Sequence, residues 1–224
     1  MLLVTALAVA GPLAPMSVDS TGISVAGAVG LDRDWLREPG CEGDGCEAVR
    51  HRAWQGFEVS GRLLRPLGAY ARIDHAADTL SGASYSGEGW VACGGLQTGF
   101  QLRPSLSLDA WVGLTRAQTK GTKESSTRTD LEAGITLGAG SADDNVVGWV
   151  GVSGVPWSME SDVVVDGALH LQLEPAIPVS AVGGILFISE PLRGRPSKRG
   201  RLIAGVDGTA GFRTSLTGWA GAAF

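Results

Sequence analysis

Apolar and polar side chains alternate with a period of two through most of the sequence that follows Ser20. In the segment GFEVSGRLL, Phe57 and Val59 fall on one side, whereas Glu58 and Arg62 fall on the other. Successive side chains point to opposite faces in an extended strand, whereas a helix repeats every 3.6 residues. Because the alternation recurs almost to the C terminus, it predicts an all-β chain whose strands each have one apolar face.

Glycine is unusually frequent for a chain that is also apolar. The 224 residues include 34 glycines, yet 44% of the residues are hydrophobic and only 18% are charged. Disordered glycine-rich chains lack apolar side chains, and glycine weakens helices but occurs in strands that bend or pack closely. The composition therefore favours a single glycine-rich β domain.

The connections between the alternating segments are of two kinds, as expected for a series of hairpins. Short turns at one rim and long loops at the other are typical of outer-membrane barrels. The predicted tight turns are residues 65–68, 103–106, 140–145, 174–178 and 212–216, and the predicted long loops are 36–53, 81–89, 119–129, 156–162 and 191–200.

Residues 20–224 resemble the small bacterial outer-membrane β-barrel proteins, including the final aromatic residue, Phe224. The resemblance implies an antiparallel up-and-down transmembrane barrel in the bacterial outer membrane, with the long loops extracellular. It also implies two partners, the lipid bilayer and the outer-membrane insertion machinery. We expect about ten strands, including one at 165–173; twelve remains an alternative and eight a weaker one, because such barrels have even strand numbers.

The N-terminal residues 1–17 form an apolar stretch that is too short for a membrane-spanning helix, which needs ~20 apolar residues. They are interpreted either as a segment similar to a signal peptide or as an extra first strand. Residues 18–224 are then a single barrel domain. The chain could also be the membrane domain of a longer exported protein.

The polar side of the predicted strands contains charges of both signs in similar number, mixed with glycine. Inside a small barrel such charges must be paired, so we predict a lumen plugged by ion pairs with no wide aqueous channel. The alternative is the solvated face of a secreted β-sandwich. The predicted lumen residues are Glu58, Arg62, Arg72, Asp74, Arg103, Asp109, Glu132, Asp166, His170 and Asp207, with His170 placed to pair with Asp166.

The tryptophans have two possible places. Trp90, Trp149, Trp157 and Trp219 could contribute to the aromatic girdles at the membrane interfaces. Trp111 and Trp149 fall on the polar side of their strands, so they could equally pack inside the lumen.

Three cysteines and three histidines were considered for chemistry. Cys41 and Cys46 enclose the short loop CEGDGC and could form a disulfide after export, which leaves Cys93 unpaired. A lipid hydrolase would need His75 or His51 beside a serine such as Ser84 or Ser86.

No G-x-S-x-G, H-E-x-x-H, Walker or dinucleotide motif occurs, so no catalytic residue, metal site or cofactor is predicted. The net charge of -5 disfavours nucleic-acid binding.

The segment LRGRPSKRG concentrates positive charge in the last predicted long loop. If that loop lies at the outer leaflet, guanidinium groups could bind lipopolysaccharide phosphates bidentately. The candidate contacts are Arg193, Arg195, Lys198, Arg199 and Arg201. The sequence thus predicts first a non-enzymatic barrel with a structural or surface-interaction role, then a narrow porin-like channel, and least an outer-leaflet lipid hydrolase.

Overall fold

The structure is a computed structural model. It describes residues 12–13, 22–37, 47–64, 66–80, 86–103, 105–121, 124–140, 145–165, 168–169, 174–175, 179–189, 200–211 and 213–224. Within these ranges no helix is long and apolar enough to cross a membrane.

Nearly every described residue belongs to a β-strand. The strands are β1 (Ile23–Arg37), β2 (Glu47–Leu64), β3 (Leu67–Leu80), β4 (Ser86–Arg103), β5 (Leu106–Gly121), β6 (Glu124–Ala139), β7 (Val146–Val165), β8 (Ala168–Leu169), β9 (Glu174–Pro175), β10 (Val179–Ile188), β11 (Arg201–Gly211) and β12 (Arg213–Ala223).

The ten long strands of the described chain close into an antiparallel barrel. Each pairs with its sequence neighbour, β7 pairs with β10, and β12 pairs with β1 to complete the ring. The chain of paired residues that leaves β4 at Gly99 returns to β4 at Gly87 after one circuit, so the strands are tilted against the barrel axis. The predicted all-β barrel of ten strands is confirmed.

The outward face of the barrel is apolar and the inward face is mostly polar. Leu31, Phe57 and Val150 are 64%, 66% and 65% exposed, whereas Asp34 and Asp130 are fully buried. This distribution is the reverse of that of a water-soluble domain, whose charged residues are almost never fully buried unless they are paired. The alternation identified in the sequence therefore separates an apolar exterior from a charged interior.

The apolar exterior ends before the strands do. Along β5, the outward residues change from Val112 and Leu114 to Arg116, Gln118 and Lys120 as the strand approaches β6 through residues 121–124. We call this end of the barrel, with the connections 37–47, 80–86 and 121–124, the loop rim. The opposite end, with the connections 64–67, 103–106 and 139–146, is the turn rim.

The predicted strand at 165–173 is wrong. β7 is 20 residues long and already reaches the loop rim, and β10 pairs directly with β7 from Val179 to Phe187, which leaves no gap for a strand between them. The short strands β8 and β9 instead pair with the loop-rim ends of β7 and β1. The predicted tight turn at 174–178 therefore begins at the loop rim.

Because the barrel lacks that predicted strand, every later strand runs in the direction opposite to the one predicted from the sequence. The predicted turn at 212–216 becomes the β11–β12 connection and lies at the loop rim, because β11 rises from the turn rim. Ile188 and Arg201, which bracket the basic segment, both lie at the turn rim. Arg201 is half-buried at the start of β11, while Arg193, Arg195, Lys198 and Arg199 lie outside the described residues. The connection that contains the basic segment thus begins and ends at the turn rim, whereas the connections 37–47, 80–86 and 121–124 lie at the loop rim.

Two observations bear on the prediction for residues 1–17. β1 pairs with β12 along one edge and with β2 along the other, so an extra first strand would have no free edge. The described N-terminal residues, Pro12 and Leu13, lie inside the barrel rather than in its wall.

We predict that Val152→Arg, at the middle of the apolar exterior on β7, lowers the free energy of unfolding in lipid vesicles by about 2–4 kcal/mol. The matched control is Gln118→Arg on the polar part of the exterior, where the change should be close to zero. Urea unfolding measures both values. Equal stabilities of the two variants would contradict contact between the apolar exterior and hydrocarbon.

Candidate functional site

Four tryptophans point into the lumen, and each lies directly opposite a glycine of the neighbouring strand. The pairs are Trp54 with Gly30, Trp111 with Gly134, Trp149 with Gly184 and Trp219 with Gly205. A Cβ atom on any of these glycines would overlap the indole ring. Glycine therefore provides the space in which a large aromatic side chain lies flat against the barrel wall.

The girdle prediction holds for only part of the tryptophans. Trp149 and Trp219 are buried at 7% and 4% exposure, so they are lumen residues. Trp90 and Trp157 are exposed on the outer surface. The girdle assignment of Trp219 is wrong, because Trp219 lies on the inward side of β12 with Ser215 and Thr217.

The middle of the lumen contains an ion pair bordered by an acid. Arg72 Nε lies 2.9 Å from both carboxylate oxygens of Asp74, and its guanidinium stacks 4.1 Å from the Trp54 ring. Glu58 lies opposite Arg72 on the adjacent strand. The outward neighbours of these residues, such as Phe57 and Ile73, are apolar, so this pair lies at the depth of the apolar exterior.

Nearer the loop rim, the lumen is filled by a balanced set of four arginines and four acids, which we call the ion-pair layer. Its residues are Asp34, Arg50, Arg52, Asp78, Arg128, Asp130, Glu132 and Arg213. Arg52 pairs with Asp78 at 2.6 Å and Arg128 with Asp130 at 2.8 Å. All eight side chains are at most 7% exposed.

Asp34 is the centre of this layer. It pairs with Arg50 on β2 and, at 3.1 Å, with Arg213 on β12, and both arginines are its direct cross-strand partners. Arg213 also lies 3.9 Å from Glu132. Asp34 and Arg213 therefore join Arg50 on β2 and Glu132 on β6 into one network, and the net charge of the eight-residue layer is zero.

Of this layer, the sequence reasoning assigned only Glu132 to the lumen. It placed Arg50, Arg52 and Arg128 in predicted long loops and Arg213 in a predicted turn. Residues 36–53 and 119–129 were predicted to be loops, yet β2 begins at Glu47 and β6 at Glu124. The signal was present in the alternation of RHR at 50–52 and DRD at 32–34, which continues the lumen phase of their strands.

The other predicted lumen residues are distributed as follows. Asp109 is buried and accepts a hydrogen bond from the Ser107 hydroxyl at 3.2 Å. Asp207 accepts one from Trp219 Nε1 at 3.1 Å. Arg62 is half-buried near the turn rim.

Three further residues were predicted to line the lumen. One of them is not there, and the other two lie outside the described residues. Arg103 is exposed at the turn-rim end of β4, because a register shift between Gln101 and Arg103 ends the regular pairing there. Asp166 and His170 lie outside the described residues.

A cavity of about 40 Å³ lies on the turn-rim side of the ion-pair layer. Its walls include Leu13, Arg72, Gln97, Asp109, Trp149 and Asp207. The backbone N–H of Leu13 points at the Glu58 carboxylate, 3.1 Å from each oxygen. The lumen is thus divided into a packed ionic part and a smaller polar chamber against which the N-terminal segment lies.

The cysteines and histidines form no reactive site among the described residues. Cys93 is a buried free thiol beside Tyr70, and Cys41 and Cys46 lie outside the described ranges. Within those ranges no group of three His, Cys, Asp or Glu side chains is placed to hold a metal ion.

His75 and Ser86, one of the proposed hydrolase pairs, are not brought together. His75 packs edge-on against Trp90 on the outer surface, with 5.1 Å between ring centroids. Ser86 pairs with Thr79, four residues farther along β3 and therefore about 13 Å away. His51 lies within β2 rather than in a loop, and Ser84 lies outside the described residues.

Comparison with known proteins places this architecture among outer-membrane β-barrels. No family model matches the sequence, and no curated protein matches it. The translocator domain of the autotransporter NalP from Neisseria meningitidis matches with a TM-score of 0.53 and 11% identity, over 92% of this chain and 89% of that one. The chain has the fold of outer-membrane barrel domains.

Two further solved structures align with lower scores. The transport unit of the autotransporter AIDA-I from Escherichia coli has a TM-score of 0.46 and 10% identity, over 91% of this chain and 90% of that one. An outer membrane channel from Pseudomonas putida F1 has a TM-score of 0.42 and 11% identity, over 94% of this chain and 100% of that one.

We predict that Gly205→Ala lowers the free energy of unfolding by about 1–3 kcal/mol, because the added methyl displaces Trp219 from the wall. Gly218→Ala on the adjacent strand is the control, since nothing lies within 4 Å of its Cβ position. The control should be neutral or stabilised by about 0.4–1 kcal/mol. Denaturant unfolding compares the two, and a harmless Gly205→Ala would refute the role assigned to the aromatic–glycine pairs.

Proposed function

We propose that the protein is a non-enzymatic outer-membrane barrel whose lumen is closed and whose structural or surface-interaction role is performed by its loop rim. The observation that supports this most directly is the ion-pair layer. Arg50 and Arg128 are among the largest fully buried side chains of the described chain, and both form ion pairs in this layer.

The energetic argument for closure rests on burial. Removing one partner of a buried ion pair is strongly destabilising, by about 3–5 kcal/mol, because an uncompensated charge remains. A solute path through the layer would have to separate several such pairs at once. The closed state is therefore favoured over the alternative of a narrow porin-like channel.

The proposed orientation follows from the two rims. With the long connections outside the cell, the ion-pair layer lies at the extracellular end, above the hydrocarbon. In this orientation, β1 begins and β12 ends at the periplasmic side. In this orientation Arg201 is also periplasmic, so we do not assign the basic segment to lipopolysaccharide. The proposed partners are the bilayer and the insertion machinery.

We predict that the wild-type barrel, reconstituted into planar bilayers, passes no steady current. The variant Asp34→Ala/Arg50→Ala/Arg213→Ala removes the centre of the layer and should produce opening events. Glu88→Ala/Lys120→Ala is the control, because these paired residues are exposed on the outer surface at the same rim and should leave the barrel closed. A steady wild-type current would favour the channel instead.

A second candidate function is supported by one specific observation, the burial of Leu13 in the lumen at 5% exposure. A barrel that holds a segment of its own chain could be the membrane domain of a longer exported protein. The fold shared with an autotransporter translocator domain is consistent with this candidate. It requires that residues 12–13 stay attached to the barrel.

We predict that Leu13→Pro lowers the free energy of unfolding by about 1–3 kcal/mol, because proline cannot donate the N–H that Glu58 accepts. Leu13→Met keeps the N–H and should behave as the wild type. The measurement is the temperature at which gel mobility changes on heating. Identical transitions for both variants, or a mature protein whose mass lacks these residues, would remove the candidate.

A further inference from the structure

We infer that the chamber on the turn-rim side of the lumen is a binding site for a small monovalent cation. The juxtaposition of Asp207, Asp109 and the unpartnered amide oxygen of Gln97 around one cavity points to it. The inference goes beyond the proposed function, because binding requires no conduction through the barrel.

The first step is the charge at this depth. The described charged residues in this part of the lumen include the carboxylates of Asp32, Glu58, Asp74, Asp109 and Asp207 and the guanidinium groups of Arg62 and Arg72. Arg72 is engaged bidentately with Asp74. Glu58 accepts the N–H of Leu13, which is a neutral donor. Negative charge is thus in excess where the surroundings are least polar.

The second step is the setting of Asp207. The indole N–H of Trp219 donates to its Oδ2 at 3.1 Å. This donor and the Thr217 side chain, which also hydrogen-bonds to Asp207, are neutral and do not cancel its charge, and the Arg72 guanidinium on the same cavity is already bound to Asp74. A cation in the cavity would supply that compensation at the surface that Asp207 shares with Asp109.

Gln97 provides an independent observation. Its side chain is 5% exposed and lines the same cavity, and its Oε1 atom has no hydrogen-bond partner among the described residues. A buried acceptor without a partner costs free energy, about 1–3 kcal/mol. A water molecule could satisfy the amide oxygen, but a cation would also neutralise the neighbouring carboxylate.

The size and walls of the cavity select the ligand class. A volume of about 40 Å³ corresponds to roughly three water molecules, so a potassium or ammonium ion with one or two waters fits. The rings of Trp111 and Trp149 also line the space and attract cations through their faces. The two carboxylates and Arg72 leave one net negative charge among the described lining residues, which a monovalent ion balances.

Thallium(I), a substitute for potassium that quenches indole fluorescence on contact, is the probe. Thallium nitrate is titrated into the detergent-solubilised full chain in a buffer free of alkali cations. Exposed Trp35, Trp90 and Trp157 give quenching that rises linearly with concentration, whereas Trp111 and Trp149 give a saturable component. Potassium or ammonium nitrate should reverse the saturable component, and tetraethylammonium nitrate should not.

Asp207→Asn should weaken thallium binding at least tenfold while keeping the acceptor for Trp219. Gln97→Leu should weaken it severalfold, and Glu88→Gln, which changes an exposed outer carboxylate, should leave it unchanged. If Asp207→Asn does not fold, as judged by heat-modifiable mobility, Gln97→Leu decides.

Three results would overturn the site: purely linear quenching, equal affinity in the folded variants and the wild type, or more effective competition by calcium than by potassium. The conductance of the bilayer-reconstituted barrel is measured separately. A conducting barrel with a saturable site would therefore reject the proposed closure and retain the cation site, and a silent barrel without one would do the reverse.

Discussion

The structure depends on cross-strand pairing between side chains that face the lumen. A closed barrel satisfies its backbone within the wall, so the remaining problem is to fill a narrow interior with groups that neutralise one another. Here the partners are direct cross-strand neighbours or, in Arg72–Asp74 and Arg128–Asp130, residues two apart on one strand. Asp34 faces Arg50 and Arg213, Arg52 faces Asp78, and each inward tryptophan faces a glycine.

The same pairing explains why a chain so rich in glycine has a defined fold. Glycine in a strand sacrifices packing and conformational entropy, and a flat indole over it restores the lost contact. Gly30 under Trp54 and Gly184 under Trp149 therefore act as parts of the lumen packing rather than as flexible points. The aromatic residues also separate the ion pairs, as where Arg72 stacks on Trp54.

The sequence was sufficient for the class of fold because the period-two alternation is a local signal that each strand repeats. It was insufficient for the late topology, since the run at 165–173 alternates as well as a true strand does. Whether such a run joins the ring is decided by the pairing of Val179–Phe187 with β7, which is a non-local property. One strand too many in the prediction moves every later connection to the opposite rim. The connection that precedes Arg201 and contains the basic segment is an example.

The lumen residues show the same division between local and non-local information. Glu58, Arg72 and Asp74 could be placed by phase, because they lie where apolar outward neighbours mark the strand. Arg50 and Arg128 could not, since they lie in the polar stretches RHR at 50–52 and STRTD at 126–130, and in a single sequence such a segment has the pattern of a solvated loop. The strands extend beyond the apolar exterior because the ion-pair layer is stable only when paired and buried. The charged side chains that give this region the sequence pattern of a loop therefore stabilise it as part of the barrel wall, through their ion pairs.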